Sequence, residues 1–339
     1  MTTQSISYVT TSTFEDIAAR INSANRIMIT THRKPDGDAI GSVVGMYRAL
    51  CSIGKQAEVI IAGPLGHGLA IIAGDTPIRF IEDDGFPEET PDLIMVLDTG
   101  AWSQLEAAES WLRQHAEIVV GLDHHANGDD VATDRIVDTS AAAATQVVMQ
   151  LLETMNIDLG SGKGCIAEAL FVGLATDTGW FRFSNADARC FADASKLLQH
   201  DLNRYDIYRS LEETARPARM KLLQRMLASL EIIDSVAIMA LRSNDFGETG
   251  GDSTDLLGLV NTPMVIEGVQ ASILLTDSNP GITKMSFRSK PALPSDSTSL
   301  IDVNKLAGNF GGGGHVHAAG ARVKEPLEAV RKRLLEQLQ

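Results

Sequence analysis

The stretch Glu117–His125, with the sequence EIVVGLDHH, is the part of the chain from which the fold is interpreted. Its apolar first half predicts a buried strand, and the polar run Asp123-His124-His125 stands where that strand should end. Open α/β sheets bind their ligands beyond the carboxyl ends of their strands. Three adjacent groups that can bind a metal ion or transfer a proton therefore mark a candidate functional site, with three solvated loop residues as the alternative.

The composition indicates a soluble globular protein with two domains. The chain has 339 residues, too many for one ordinary core, and is 44% hydrophobic and 22% charged. We expect no signal peptide, because residues 1–13 lack Lys, Arg and an apolar core, and no apolar run approaches the roughly 20 residues that span a membrane. The cysteines Cys51, Cys165 and Cys190 lie far apart, which predicts reduced thiols and a cytoplasmic location.

The formal net charge of −15 limits the class of partner. Proteins that coat long nucleic acid carry a basic stripe, and none is visible in this sequence. We therefore expect neither a long nucleic acid nor a membrane as partner. A phosphate ester substrate would have to be short, and bound divalent metal would supply the positive charge that receives it.

Strands and helices alternate in the first half of the sequence. The strands are expected at 26–31, 58–62, 91–97 and 117–120, and the helices at 14–25, 39–53, 103–114, 141–155 and 163–175. This alternation predicts an α/β fold with a doubly wound, mostly parallel sheet.

The pattern changes after a largely helical stretch at about 187–230. Shorter strands are expected at 236–241, 268–276 and 283–289, helices near 302–308 and 325–338, and a glycine loop, GGGGH, at 311–315. We predict a catalytic domain at 14–205, a helical linker at 206–225 and a smaller α/β domain at 226–339.

Candidate metal ligands follow several of the predicted elements. They are His32, Asp36 and Asp38 after the first strand, Asp98 after a later one, the triplet Asp123-His124-His125, and Asp177 at a helix end. The carboxyl ends of parallel strands lie side by side, so these groups can converge on one crevice. Carboxylates gathered there would repel one another unless cations bound among them. Asp oxygens mixed with His nitrogens suit Mn²⁺ better than Mg²⁺, which stays the alternative ion.

Two divalent ions about 3.5–4 Å apart are the usual arrangement for phosphoryl chemistry. They lower the pKa of a shared water, so that hydroxide is available near neutral pH, and they neutralise charge that builds on the phosphate oxygens. Two divalent metal ions are therefore the predicted cofactors. Capping or turn-forming Asp residues are the alternative for any single carboxylate.

At these positions the sequence resembles the DHH phosphoesterase superfamily, and the resemblance covers nearly the whole chain. The motifs that carry it are THRKPDGDAIGS at 31–42, VLDTG at 96–100, DHH at 123–125 and ATDTG at 175–179. In the second half, SFRS at 286–289 and GGGGH at 311–315 resemble the DHH-associated C-terminal domain.

The resemblance implies a role for each motif residue. The implied metal ligands are His32 and Asp36 for one ion, Asp38, His124 and Asp177 for the other, and Asp98 as the bridge between them. Asp123 would orient neighbouring groups, and His125 would face the substrate phosphate and help to protonate the leaving oxygen. The predicted catalytic residues are Asp98, Asp123, His124 and His125.

The second domain would bind the substrate. Glycines permit close backbone approach to an anion, and an arginine offers a bidentate phosphate contact. The predicted substrate-binding residues are His125, Arg288, Gly312, Gly313, Gly314 and His315. A flexible loop is the alternative for the glycines, and His317 receives no role. Arg216 and Arg219 are expected to be solvated helix charges, with contact to a substrate held between the domains as the alternative.

Within the superfamily, compact chains with these two domains resemble the nanoRNase/pAp phosphatase type. That type implies an Mn²⁺-dependent exoribonuclease for fragments of a few nucleotides, which also releases the 3′-phosphate of adenosine 3′,5′-bisphosphate (pAp). A soluble phosphodiesterase for cyclic dinucleotides such as c-di-AMP, or for linear pApA, shares every motif and is the alternative. A nucleotide-binding module without catalysis is the alternative of a different class. The oligomeric state stays open, with a homodimer as one option.

Overall fold

A computed structural model describes residues 8–279, 281–292 and 299–338, and for His67, Ser278, Asn279 and His315 it describes the backbone alone. Contacts between residues divide the chain into two units between Thr214 and Ala215. The finer division into catalytic domain, linker and C-terminal domain stays a prediction. In the described part of the chain, no helix combines the length and the apolar character that crossing a membrane requires.

Strands and helices alternate along the first unit. In chain order they are α1 (Phe14–Ser23), β1 (Arg26–Thr31), α2 (Gly37–Ser52), β2 (Gln56–Ile61), α3 (His67–Ala73), β3 (Ile78–Phe80), α4 (Ile81–Asp84), β4 (Leu93–Leu97), α5 (Glu109–Gln114), β5 (Val119–Asp123), β6 (Asp134–Val137), α6 (Ala144–Thr154), α7 (Ile166–Asp177), α8 (Ala188–Leu198) and α9 (Arg204–Glu212). Side-chain caps start the first two helices. Thr13 forms a capping box with Asp16 at α1, and the Asp36 carboxylate accepts from the first N–H groups of α2.

The described strands of the first unit form a parallel sheet in the order β3-β2-β1-β4-β5-β6. The chain places β1 to β3 towards one edge and β4 to β6 towards the other, so the strand order reverses between β1 and β4. Apolar side chains cover both faces; Ile27 and Ile29 pack into one buried cluster and Met28 into another. The predicted doubly wound α/β fold is confirmed, and its reversal point is where such sheets bind ligands.

The register of the sheet aligns three of the candidate residues. Thr31, the last residue of β1, lies opposite Leu97, the last residue of β4, and Leu97 lies opposite Leu122 of β5. The next residues along these three adjacent strands are His32, Asp98 and Asp123. Strand pairing therefore places them side by side at the carboxyl edge of the sheet.

Helices α2 and α7 pack closely because α2 presents glycines to α7. A Cβ atom at Gly41 would lie 2.5 Å from the carbonyl oxygen of Ala169, and one at Gly37 would collide with the side chain of Thr176. Any side chain at these positions would push the helices apart. The close packing brings Asp177, the last residue of α7, to the amino end of α2.

One predicted helix of the first unit is wrong and two strands are missing from the prediction. The helix expected at 103–114 is a 3₁₀ turn at Trp102–Gln104 followed, after a break, by the short helix α5. Strands β3 and β6 have only three and four residues. Edge strands of that length are too short for an alternating pattern to stand out.

The second unit contains a mixed sheet with helices on both faces. Its elements are α10 (Pro217–Ala228), β7 (Glu231–Ile233), β8 (Val236–Leu241), α11 (Ser243–Thr249), β9 (Ala271–Asn279), β10 (Ile282–Ser289), α12 (Val303–Gly308), β11 (Gly313–His315), β12 (Ala318–Val323) and α13 (Leu327–Leu338). The order of the described strands is β11-β12-β10-β9-β8-β7, with β8 and β9 parallel and the other pairs antiparallel. Helices α12 and α13 supply buried residues to one apolar cluster, and α10 and α11 to the other.

The predicted glycine loop at 311–315 is partly a strand. Its last three residues form β11 and pair with β12 in antiparallel fashion, Gly313 opposite Gly320 and His315 opposite Ala318. The sequence pattern missed this pair because glycine contributes no apolar side chain from which a strand could be recognised.

Candidate active site

The carboxyl edge of the first sheet gathers imidazoles and carboxylates around Asp98. His32 follows β1, and its Nε2 atom lies 3.4 Å from Oδ2 of Asp98. His124 follows β5, and its Nε2 atom lies 3.5 Å from Oδ1 of Asp98. Asp98 therefore stands between the two imidazoles, with one carboxylate oxygen towards each.

The other predicted carboxylate ligands lie next to these imidazoles. Nε2 of His32 is 3.9 Å from Oδ1 of Asp36, and Nε2 of His124 is 3.8 Å from the Oδ2 atoms of Asp38 and Asp177. Donor atoms within 4.8 Å of one another form three sets among the described residues, namely His32, Asp36 and Asp98; Asp38, His124 and Asp177; and Asp98, His124 and His125. The geometry is compatible with one metal ion at each of the first two sets, and the individual ligand roles stay a prediction.

Both imidazoles have one ring nitrogen held by a backbone oxygen. Nδ1 of His32 lies 3.0 Å from the carbonyl oxygen of Arg33, and Nδ1 of His124 lies 3.2 Å from that of Ala141. A carbonyl oxygen only accepts, so each Nδ1 carries a hydrogen and, in the neutral ring, Nε2 presents its lone pair to the carboxylates. Metal-binding histidines are commonly oriented by such bonds.

Asp98 has the properties of a residue built to hold a cation. Its φ angle is +60°, which is strained for a residue with a side chain. The residue is 2% exposed, and its Oδ1 atom has no hydrogen-bond partner among the described residues. A buried carboxylate oxygen without a partner is costly, and a bound cation would remove that cost. The donor set therefore fits divalent metal ions.

Asp38 is also held by the amino end of α6. Its Oδ2 atom accepts from the backbone N–H of Ala144 at 2.5 Å, and its Oδ1 atom accepts from that of Thr145 at 3.0 Å. These bonds fix the direction of the carboxylate, and the positive end of the helix dipole favours its charge. Burial, Asp98 and Asp177 outweigh this effect and raise the pKa of Asp38. The contact between Asp38 and the start of α6 depends on tertiary packing, and no sequence pattern signals it.

The charges in the site shift one another's pKa. Burial disfavours the charged ring of His32, but Asp98 outweighs it and raises the pKa of His32 to about 9. Burial likewise disfavours the charged ring of His124. Asp98 and Asp38 outweigh this effect and raise the pKa of His124 to about 10. Burial raises the pKa of Asp177 to about 6. Protons thus balance the carboxylates in the metal-free protein, and a binding metal ion has to displace them.

Asp123 is buried behind the two histidines of its triplet. Its Oδ1 atom accepts from the backbone N–H of His124 at 2.8 Å and of His125 at 3.2 Å, and it lies 2.7 Å from Nδ1 of His125. The hydrogen bond to Asp123 raises the pKa of His125. Because Nδ1 is held, Nε2 of this half-exposed ring is left for a ligand. The contacts suit the orienting role predicted for Asp123.

Sequence reasoning missed one residue of the site, Tyr8. Its hydroxyl donates a hydrogen bond of 2.6 Å to Oδ2 of Asp123. Tyr8 lies in a segment before α1 that carries no motif, and it precedes Asp123 by 115 positions. No pattern in the sequence signals a contact of that kind.

In the second unit, Arg288 lies on β10 with its charge unbalanced by any carboxylate among the described residues. Its Nη1 atom donates to the carbonyl oxygen of the preceding Phe287 at 2.8 Å, and burial lowers the pKa of the guanidinium. A half-buried guanidinium with N–H groups to spare suits an anion. Phosphate binding by Arg288 stays a prediction.

The glycines predicted to bind substrate also have a structural reason to be glycines. A Cβ atom at Gly312 would collide with the carbonyl oxygen of Gly320 on β12. The N–H of Gly312 donates to the carbonyl oxygen of Ala307, and the N–H of Gly314 donates to Oδ1 of Asn304 at 2.8 Å. These two N–H groups are therefore engaged inside the unit, and the predicted anion nest would have to use other groups of the segment.

The side chain of His315, the other predicted phosphate donor, lies outside the described part of the chain. Two further residues, Arg216 and Arg219, make contacts within the second unit, and Arg216 is exposed there as well. Arg216 pairs with Asp252 and Asp255, and Arg219 donates to the carbonyl oxygen of Asp255.

His317 belongs to the junction between β10 and β12. Its Nδ1 atom lies 3.1 Å from the hydroxyl oxygen of Ser289, and its carbonyl oxygen accepts from the N–H of Ser289 at 3.1 Å. The hydroxyl of Ser289 is also 3.1 Å from the carbonyl oxygen of Val316. These bonds give His317 a structural role next to Arg288.

Each half of the chain matches the model of a known domain family. Residues 26–174 match the model of the DHH family, N-terminal domain, and residues 234–339 match the model of the DHHA1 domain. The first match contains His32, Asp98 and the triplet at 123–125, and the second contains Arg288 and the glycine segment. The two matched regions fall one in each structural unit.

Named relatives resemble this chain over most of its length. The bifunctional oligoribonuclease and PAP phosphatase NrnA of Thermus thermophilus is 30% identical over 322 residues, which are 91% of this chain and 90% of that protein. The cyclic-di-AMP phosphodiesterase GdpP of Geobacillus thermodenitrificans is 25% identical over 90% of this chain, but the match spans only 46% of that protein. The crystal structure of an exopolyphosphatase-related protein from Bacteroides fragilis superposes with a TM-score of 0.83 at 26% identity, covering 96% of this chain and 94% of that one.

Proposed function

Given that this chain belongs to the DHH family, we propose that it hydrolyses short oligoribonucleotides to mononucleotides and also removes the 3′-phosphate of pAp. Membership of this family shows that the protein is a hydrolase acting on phosphoester bonds. The choice of substrate follows the NrnA relative, whose name states both activities and whose length the match covers almost completely.

The observation that carries this proposal is that Asp98 lies between His32 and His124, each of which belongs to a donor set. An imidazole and a carboxylate on each side of one buried carboxylate is the arrangement that two-metal phosphoester hydrolysis needs. We propose that His32 and Asp36 hold one ion, that Asp38, His124 and Asp177 hold the other, and that Asp98 touches both. The mixture of nitrogen and oxygen donors supports Mn²⁺ as the preferred ion.

Bound divalent ions would supply an activated water and neutralise phosphate charge. The residues of the chain would do the remaining work. Asp123 holds the His125 ring by Nδ1, and the raised pKa of His125 favours its protonated form. Its Nε2–H would then donate to the leaving oxygen, which is the general-acid part of the reaction. Arg288 and the glycine segment would bind a phosphate of the substrate.

The charge of the chain supports a short substrate. At a formal net charge of −15 the protein would repel a long polyanion. A fragment of two or three nucleotides needs only the metal ions and a few cationic contacts. We also propose a cytoplasmic location for the protein, since nucleotide fragments arise there and the free cysteines are compatible with it.

A cyclic-dinucleotide phosphodiesterase is the second candidate function. It is favoured by the GdpP relative, which matches 90% of this chain. The same metal chemistry would serve it, so the residues of the first unit do not distinguish the two. Only the choice of substrate does.

One set of rate measurements tests the proposal. The Mn²⁺-loaded protein is offered pApA, a trinucleotide, a long RNA, pAp and a cyclic dinucleotide at equal concentration. We expect fast release of mononucleotide from pApA and the trinucleotide, phosphate release from pAp, and little cleavage of the long RNA. A clear preference for the cyclic dinucleotide would favour the second candidate, and no turnover of any phosphoester would refute both.

The Arg288→Ala variant tests the substrate role of the second unit. Loss of a charge-assisted phosphate contact costs about 2 kcal/mol, which is roughly thirtyfold in kcat/KM. We expect the loss mainly in KM for pApA, with Mn²⁺ affinity unchanged in a calorimetric titration. Arg322→Ala, which removes an exposed arginine from the neighbouring strand β12, is the matched control and should behave like wild type. An unchanged KM, or loss of bound Mn²⁺, would contradict the assignment of Arg288.

A further inference from the structure

The segment before α1 is attached to the edge of the first sheet. The backbone N–H of Thr11 donates to the carbonyl oxygen of Arg135 at 2.9 Å. Thr10 exchanges two hydrogen bonds with the backbone of Val137, each of 2.9 Å, through its hydroxyl group. Because Val137 is the last residue of β6 and the segment runs antiparallel to that strand, the residue before Val9 passes beyond the carboxyl edge of the sheet. That residue is Tyr8.

The ring of Tyr8 fits a slot formed by two glycines. A Cβ atom at Gly128 would lie 2.5 Å from the ring, and a Cβ atom at Gly100 would collide with its hydroxyl end. The guanidinium of Arg135 lies 5.3 Å from the ring centre, within the range of a cation–π contact. Gly100 follows Asp98 by two residues, so the slot lies directly beside the site.

The slot directs the Tyr8 hydroxyl at the one oxygen of Asp123 that the histidines leave free. Oδ1 of Asp123 accepts from both backbone N–H groups of the triplet's histidines, whereas Oδ2 receives the Tyr8 hydroxyl at 2.6 Å. Asp123 is 1% exposed, and a buried carboxylate needs donors at both oxygens. Burial and the neighbouring Asp123 raise the pKa of Tyr8, so its hydroxyl stays protonated and donates.

We propose that Tyr8 is a positioning residue of the hydrolytic reaction, which acts by fixing Asp123 and, through it, the ring of His125. The chain of contacts runs from the Tyr8 hydroxyl to Oδ2 of Asp123 at 2.6 Å, and from Oδ1 of Asp123 to Nδ1 of His125 at 2.7 Å. Without the first bond the carboxylate can rotate, and the His125 ring loses its fixed direction. This inference rests on the proposed function, because it assigns His125 to the substrate.

The test compares Tyr8→Phe with wild type as full chains loaded with Mn²⁺, using pApA as substrate. Since groups that orient an active-site residue typically contribute about tenfold to a hundredfold, we expect kcat to fall about tenfold. KM and Mn²⁺ affinity should stay within about twofold, because Tyr8 touches neither substrate nor the donor sets. Tyr205→Phe removes the hydroxyl of an exposed tyrosine elsewhere in the same unit and is the matched control. A kcat within twofold of wild type, or a change confined to KM or metal affinity, would overturn the proposal.

A second variant displaces Tyr8 without altering it. Gly128→Ala puts a methyl group where the ring lies, so it should lower kcat about as much as Tyr8→Phe. In the Tyr8→Phe, Gly128→Ala double variant the two losses should not multiply, because both act by removing the same hydrogen bond. Multiplying losses would show that Gly128→Ala acts by another route and would count against the slot.

Thermal unfolding of the metal-free protein separates failure of this inference from failure of the proposed function. Tyr8→Phe should lower the melting temperature, since it leaves a buried carboxylate oxygen without a donor. In an Asp123→Ala background the same substitution should have little further effect. Equal effects in both backgrounds would overturn the contact chain whatever the substrate, whereas absence of turnover by wild type would refute only the proposed function.

Discussion

Asp98→Asn is expected to abolish hydrolysis, with kcat/KM at least about a thousandfold below wild type. The substitution keeps the shape of the side chain, and asparagine tolerates the φ of +60° found at this position. What it removes is the charge that both imidazoles face. Loss of a ligand shared by two ions withdraws about 4 kcal/mol of transition-state stabilisation, which corresponds to that factor. Turnover of pApA and the metal content of the purified variant are the two measurements.

Asp92→Asn is the matched control for this variant. Asp92 lies just before β4, at the opposite end of the strand that Asp98 follows, and its carboxylate accepts from the N–H groups of Asn25 and Arg26. The Asp92→Asn variant should lose some stability but keep its activity and its bound Mn²⁺. If Asp98→Asn turned over pApA at a near-normal rate, or retained two tightly bound ions, Asp98 would not be the shared ligand.

Metal removal is the second change with a large expected effect. Exhaustive treatment with EDTA should abolish hydrolysis, and Mn²⁺ should restore it with two ions bound per chain. The metal-loaded protein should also melt at a higher temperature than the metal-free one, because the ions bind the folded state. Activity that survived complete chelation would be incompatible with the proposed role of the two donor sets.

The apparent affinity for Mn²⁺, measured by titration of the metal-free protein, should increase with pH. The pKa of His32 is raised to about 9 and that of His124 to about 10 in the metal-free protein. Both rings are therefore protonated between pH 6 and 8, and each ion must displace a proton from its ring. Apparent affinity should rise about tenfold per pH unit for the ion at His32 over this range, and at least as steeply for the ion at His124, because the pKa of its other proposed ligand Asp38 is raised as well. Affinity that was constant from pH 6 to 8 would contradict the displacement of protons from His32 and His124 by the ions.

The parts of the site that the sequence predicts are those that follow apolar strands. His32, Asp98 and Asp123 each come directly after a buried run, so the parallel sheet brings them together once the strands are recognised. The doubly wound fold could be predicted for the same reason. The predicted roles, with His32 and Asp98 as metal ligands and Asp123 as an orienting group, required the family resemblance, because a carboxylate after a strand is equally suited to a turn or a helix cap.

The parts that could not be predicted depend on tertiary packing. Tyr8 reaches Asp123 only because its segment is bonded to β6, and β6 is itself too short to be recognised. The bonds from α6 to Asp38 require that α6 packs beside α2. In the second unit, the strand at Gly313–His315 was hidden by its glycines, and the ion pairs of Arg216 join residues far apart in the sequence.

The pairing register of β1, β4 and β5 determines how far apart the site residues that follow these strands lie. Neighbouring strands lie about 4.8 Å apart, close to the spacing of about 3.5–4 Å between ions in two-metal sites. A residue that follows the middle strand can therefore reach an ion on either side, and Asp98 holds that middle place. A one-residue insertion in β4 would advance Asp98 by about 3.3 Å and turn the preceding side chains to the opposite face. Where two ions bind at this edge, their separation would follow from the backbone hydrogen bonds that pair the three strands.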